Sequence, residues 1–111
     1  PALFSLLTDL KDKTVLDLGC GVGGHCLEFV NGGAKKVVGI DISKKMLEVA
    51  QKENYHQKIT YLNLPMENLS SLNERFDLVV SSLAIHYVKD FEKLVSDVFN
   101  LLNDDGIFFF S

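Results

Sequence analysis

The chain has no uninterrupted apolar run near the ~20 residues that a membrane-spanning helix requires, so no helical membrane span is expected. Proline and glycine are scarce, two and eight of 111 residues, which excludes a low-complexity or fibrous chain. Cysteine is as scarce as proline, with only Cys20 and Cys26. No secretory or transit pattern accompanies them, and a pair spaced this way is expected to be two reduced thiols in a cytoplasmic protein. His25 lies between them, yet no second His/Cys cluster exists to complete a zinc shell, so no metal is expected. Positive charge is in deficit, with 11 basic against 15 acidic residues and a net charge of −4. That argues against a partner held through phosphate-backbone charge, although a local basic patch is compatible with it. What remains is ordinary globular composition, 47% hydrophobic and 23% charged. The length suits one domain or part of one, enough to bury roughly two-thirds of the unfolded surface.

Apolar spacing sets the expected elements. Leu3, Leu6, Leu7 and Leu10 fall at helical intervals, and the missing initial Met points to a start inside a longer protein. Residues 14–18 form a short strand signal that runs into a glycine turn over 19–24. A helix to about residue 30 then stops at Asn31-Gly32-Gly33. Residues 37–40 read as a second strand, Ser43 as the N-cap of a helix over about 44–54, and residues 59–62 as a third strand. A loop is expected over 65–74 and a fourth strand over 76–82. Asp90 caps a helix whose core face is Phe91, Leu94, Val95, Val98 and Leu102. Residues 103–106 read as a turn and 107–110 as a fifth strand.

Alternating strands and helices imply an α/β fold with a parallel sheet and helices on both faces. Phe108, Phe109 and Phe110 are consecutive, so the last strand is apolar on both faces, as an inner strand is. An apolar edge invites aggregation. Partner strands beyond Ser111 are therefore expected, with residues 1–111 a single domain truncated at its C-terminus.

The chemistry concentrates in residues 15–24. Gly19, Gly21 and Gly24 satisfy the G-x-G-x-x-G pattern between a strand and a helix, where a ligand can approach the backbone and a helix start can face an anion. Asp41 stands twenty residues past Gly21, at the tip of the second strand, where a carboxylate can accept both ribose hydroxyls. Capping the next helix is its structural alternative. Asp17 separates the possible ligands. At ~5 Å and an effective dielectric of ~20, it would repel a pyrophosphate by on the order of 3 kcal/mol. That weakens binding by more than about a hundredfold unless a cation intervenes. A cationic nucleoside reverses the sign, although Asp17 also suits a structural bond to the loop backbone.

Val15 to Gly23 followed by Val38-Gly39-Ile40-Asp41 resembles the first two motifs of class I S-adenosylmethionine-dependent methyltransferases. Phe76 to His86 and Leu101 to Gly106 resemble the fourth-strand motif and the loop before the fifth strand in the small-molecule, type 11-like branch. The resemblance implies a Rossmann-like doubly wound sheet of order 3-2-1-4-5-7-6, of which this chain carries strands one to five, 3-2-1-4-5. It implies S-adenosylmethionine as cofactor, with Asp17, Gly19, Cys20 and Gly21 at its methionine end and Asp41 at the ribose. Ile42 matches the apolar residue on the adenine, Met46 is a looser candidate for the same wall, and Ser81 and Ser82 lie beside the cofactor. Ser81 also reads as an ordinary strand-end hydroxyl. One departure stands out: Pro65 occupies the position of the acid that usually binds the adenine amino group. The Met66 N–H and Glu67 are the remaining candidates there, and Glu67 equally suits a solvated loop carboxylate.

Methyl transfer by direct displacement at a sulfonium asks mainly for alignment and exclusion of water. A base is needed only for an acceptor that keeps a proton near neutral pH. His86, beside Tyr87 past the fourth strand, is the weak catalytic candidate, and a packing role fits it as well. The Asp/Asn-Pro-Pro-Tyr motif of amide- and base-nitrogen methylation and the Pro-Cys pair of cytosine methylation are both absent. A small-molecule acceptor is therefore expected rather than nucleic acid. An NAD-dependent oxidoreductase, an inactive S-adenosylmethionine-binding protein, and a chain of 111 residues too short for turnover stay open as alternatives.

Overall fold

The computed structural model describes residues 9–81 and 89–110. The expected first helix falls almost wholly outside them, as do Ser82, His86 and Tyr87. The elements are β1 (Thr14–Leu18), α1 (Gly24–Asn31), β2 (Lys36–Asp41), α2 (Lys44–Glu53), β3 (Ile59–Asn63), a 3-10 segment (Met66–Ser71), β4 (Phe76–Ser81), α3 (Phe91–Leu101) and β5 (Leu102–Phe110). The five strands form one parallel sheet in the order β3-β2-β1-β4-β5. This is the Rossmann-like arrangement expected.

Strand alternation divides the core. Val15, Val37 and Ile59 face α1 and α2, where Cys26, Phe29, Leu47 and Ala50 close over them. Leu16, Leu18, Val38, Ile40 and Val79 face the other way, against Leu69 and α3 residues Leu94, Val98 and Leu101. Phe29 and Phe76 are fully buried. Each such side chain contributes about 1.5–3 kcal/mol of transfer free energy. The same period of two puts Asp17 on the Val15 side, beneath α1.

Polar caps set the helix starts. Ser43 accepts from the Met46 N–H at 3.2 Å, and Asp90 accepts from the Lys93 N–H at 3.0 Å. α1 lacks a side-chain cap and begins at Gly23 in the left-handed region.

Three expectations change. The 65–74 loop contains the 3-10 segment, packed through buried Leu69. Leu102 is extended and opens β5 instead of closing α3, while Leu101 takes the buried helical position and Phe91 is exposed. The expected turn at 103–106 lies within β5, where the register shifts between Phe76↔Leu102 and Leu78↔Ile107. Asn103 fits there because its side chain donates to Asp77 Oδ1 at 2.9 Å. Phe108 and Phe109 pack against opposite core clusters, so β5 is apolar on both faces. None of the described helices is long and apolar enough to cross a membrane.

Candidate functional site

The strand order reverses between β1 and β4, and open α/β sheets bind ligands at the carboxyl ends beside such a point. Here that edge carries the glycine loop, Asp41 and Ser81. The loop is tied to β2: the Gly19 and Cys20 N–H groups both donate to the Ile40 carbonyl at 2.9 Å. Asp41 fixes the next residues, its Oδ2 accepting from the Gly21 N–H and its Oδ1 from the Ser43 N–H, each at 2.8 Å. The cap of α2 is Ser43, so Asp41 does not take the capping role weighed for it; it braces the loop and the residue before the helix, and two of its roughly four acceptor positions remain.

The glycines differ in necessity. Gly23 sits at φ 85°, and a Cβ there would run into the Tyr61 hydroxyl. Gly24, the third glycine of the expected pattern, has open space where a Cβ would stand and no positive φ. The obligatory set is Gly19, Gly21 and Gly23, all at positive φ. Below the loop, the Tyr61 hydroxyl donates to the Asn54 carbonyl at 2.8 Å, and Asn54 Nδ2 donates to the Val22 carbonyl at 2.7 Å.

Asp17 is only 1% exposed and lies under the turn. Its Oδ2 accepts from the Cys26 thiol at 3.5 Å, and its Oδ1 has no hydrogen-bond partner among the described residues. Burial pushes its pKa from 3.8 up to about 6, against the lowering effects of the Cys26 bond and of His25, with Asp41 raising it further. Near neutral pH the carboxylate is ionised yet poorly satisfied. Cys20 and Cys26 are both free and buried.

Beside the loop is a cavity of about 250 Å³ lined by Gly19, Ile40, Asp41, Ile42, Leu64, Met66 and Glu67. Ile42 is 77% exposed, so burial in this chain does not account for it. Met46 leans across the loop, its Sδ 3.7 Å from where a Cβ on Gly21 would stand. The cavity therefore gathers Gly19, Asp41, Ile42, Met66 and Glu67; Met46 sits against Gly21 of the loop, and Asp17 and Cys20 lie on the α1 side of the sheet, off the cavity wall. Ser81 is buried at the end of β4, paired in register with Leu18.

Sequence reasoning missed Cys26, Tyr61, Asn54 and the Ile40 carbonyl. The period of two along β3 puts Tyr61 on the Ile59 face, but its bond to Asn54 depends on where α2 ends.

An exposed apolar wall, a carboxylate at a strand tip and a half-satisfied buried acid suit a ligand with an aromatic ring, hydroxyls and positive charge. The sequence matches the methyltransferase domain family over residues 16–110. The chain belongs to this family. Its cofactor is S-adenosylmethionine, and the residues present fit that group. An S-adenosylmethionine-dependent methyltransferase from Mesorhizobium loti superposes with a TM-score of 0.89 at 38% identity, over 98% of this chain and 51% of that one. A Haemophilus influenzae protein of undescribed activity is 42% identical over 117 residues, all of this chain and 46% of its own length. The malonyl-[acyl-carrier protein] O-methyltransferase of Hamiltonella defensa is 30% identical over 98% of this chain and 41% of its own. The chain thus spans about half or less of the methyltransferases and relatives it matches.

Proposed function

We propose that the protein transfers a methyl group from S-adenosylmethionine to a small-molecule acceptor. When bound, S-adenosylmethionine supplies a methyl group on a sulfonium, open to direct displacement. The observation that carries this reading is the use of the loop amides. Gly19, Cys20 and Gly21 all donate inside the protein, to Ile40 and Asp41. A pyrophosphate drawn to these three amides would find them occupied and would face the Asp41 carboxylate beside them, which disfavours a dinucleotide and favours a cationic nucleoside.

In this reading Asp41 orients the ribose hydroxyls with its unused lone pairs, and Ile42 and Met46 cover the adenine. Pro65 supplies no side-chain contact to the adenine amino group, so Met66 and Glu67, both on the cavity wall, form that end. Asp17, Gly19, Cys20 and Gly21 hold the methionine end, Asp17 attracting its positive charge from below. Ser81 belongs to the floor beside the cofactor, and the sequence resemblance assigns Ser82 to the same end. For an acceptor that retains its proton near pH 7, His86 is the base read from the sequence. The Hamiltonella relative methylates an oxygen on a carrier-bound malonyl group. A small oxygen acceptor is accordingly the first class to screen here, in a protein working in the cytoplasm.

Isothermal titration tests the cofactor reading. S-adenosylmethionine and S-adenosylhomocysteine should bind and NADH should not. Asp41→Ala should weaken both nucleosides at least tenfold. Tight NADH binding with no response to S-adenosylhomocysteine would reject the proposal.

A further inference from the structure

Cys20 and Cys26 lie on different elements, the loop and α1, yet meet at one place. A Cβ built on Gly39 of β2 would stand 2.9 Å from the Sγ of each cysteine and 3.0 Å from the Cβ of Cys20. The two sulfurs share the space in front of a single α-carbon and are at most twice that distance apart. The position is glycine because the thiol pair fills the room. On its other side, the Cys26 thiol is the one hydrogen-bond donor to Asp17 among the described residues.

We propose that Cys20 and Cys26 form a reversible disulfide that lowers affinity for S-adenosylmethionine by taking away the hydrogen-bond donor of Asp17. This rests on the cofactor reading above. The oxidant is a peroxide. The Cys20 sulfur attacks one peroxide oxygen; the O–O bond breaks, leaving Cys20 as a sulfenic acid and releasing the other oxygen as water. The Cys26 sulfur then attacks the Cys20 sulfur. The S–S bond forms, the S–O bond breaks, and the hydroxyl leaves with the Cys26 proton as a second water. Asp17, already hydrogen-bonded to that thiol, is placed to take the proton in passing. Two thiols are oxidised and one peroxide is reduced to two waters.

The two cysteines differ in the way such a pair requires. Cys26 is wholly buried, and hydrogen bonding to Cys20 together with burial pushes its thiol pKa up, so it is a poor first nucleophile. Cys20 is 8% exposed and lies in the loop that borders solvent, so it meets the oxidant first. Once the bond forms, Asp17 keeps no donor among the described residues. A buried carboxylate without one favours its protonated form. A neutral acid does not attract an onium group.

The experiment uses the full-length protein, treated with hydrogen peroxide and returned to oxidant-free buffer. Tryptic peptide 14–35 contains both cysteines. It should lose two hydrogens and resist alkylation. Titration with S-adenosylmethionine should show about tenfold weaker binding, restored by dithiothreitol. Cys26→Ser, which keeps a hydroxyl for Asp17, should form no disulfide after peroxide, its peptide gaining oxygen on Cys20 instead of losing two hydrogens. A peptide that stays alkylatable, a disulfide without loss of affinity, or a loss that dithiothreitol fails to reverse (as for sulfoxides of Met46 and Met66) would overturn the proposal. A reduced protein that ignores S-adenosylmethionine rejects the cofactor reading and the coupling with it, while the peptide map still decides whether the bond forms.

Discussion

Asp17→Asn keeps the side chain's shape and removes its charge. In the folded protein burial lifts the Asp17 pKa from 3.8 to about 6. At 1.36 kcal/mol per pH unit, keeping this carboxylate ionised costs the fold about 3 kcal/mol at neutral pH. The folded value lies above the unfolded one, so the unfolded chain releases its proton first. Stability should therefore fall as pH rises from about 4 to about 6 on this account, and level off above. The variant has no such titration. Urea unfolding at a series of pH values should find Asp17→Asn more stable than the parent by about 1–3 kcal/mol at pH 7, the new amide's own burial offsetting part of the gain. Near pH 4 the difference should shrink or vanish. Affinity for S-adenosylmethionine should drop at least tenfold, so the substitution trades binding for stability. A variant less stable at pH 7 than at pH 4 relative to the parent would refute the reasoning.

Four further substitutions probe the site and its support. Gly23→Ala should destabilise the protein by about 1–3 kcal/mol through its positive φ and the Tyr61 hydroxyl, whereas Gly24→Ala should be neutral or gain up to about 1 kcal/mol; thermal melts compare them. Ile42→Ser should weaken nucleoside binding severalfold in titrations with little change in melting temperature, because the side chain is already exposed. Asp77 is pushed up by burial but held lower overall by bonds from the Thr14 N–H, the Asn103 side chain and the Thr14 hydroxyl. Its contribution is present above the ordinary carboxylate range and is lost as pH falls below it. Asp77→Asn should cost about 1–3 kcal/mol at pH 7 and flatten the acid side of a denaturation profile.

How much of this was legible in the sequence follows from the range of each interaction. The strand Val15-Leu16-Asp17-Leu18 and its glycine turn are written locally, in alternation and turn chemistry, and the structure has them in place. The side on which Asp17 lies follows from parity with Val15. Its depth does not, because α1 must first return over β1 and bring Cys26 to it. The pattern-based choice of Gly24 over Gly23 failed because the obstacle is Tyr61, on a strand 38 residues away. Residues 103–106 carry genuine turn chemistry, but sheet pairing with β4 on both sides draws them into the strand. Phe91 matched the apolar face of α3 by spacing, yet it sits at the helix start where Phe110 is its aromatic neighbour and both stay substantially exposed.

The Ile40 carbonyl that takes two amides, and the Asn54 side chain that holds Val22, leave the glycine turn with its shape complete before any molecule arrives. Capture then needs no folding of the turn itself, residues 19–23. Stopped-flow titration should therefore find association limited by encounter rather than by a slow rearrangement of the turn, with competing nucleosides differing in how long each one stays.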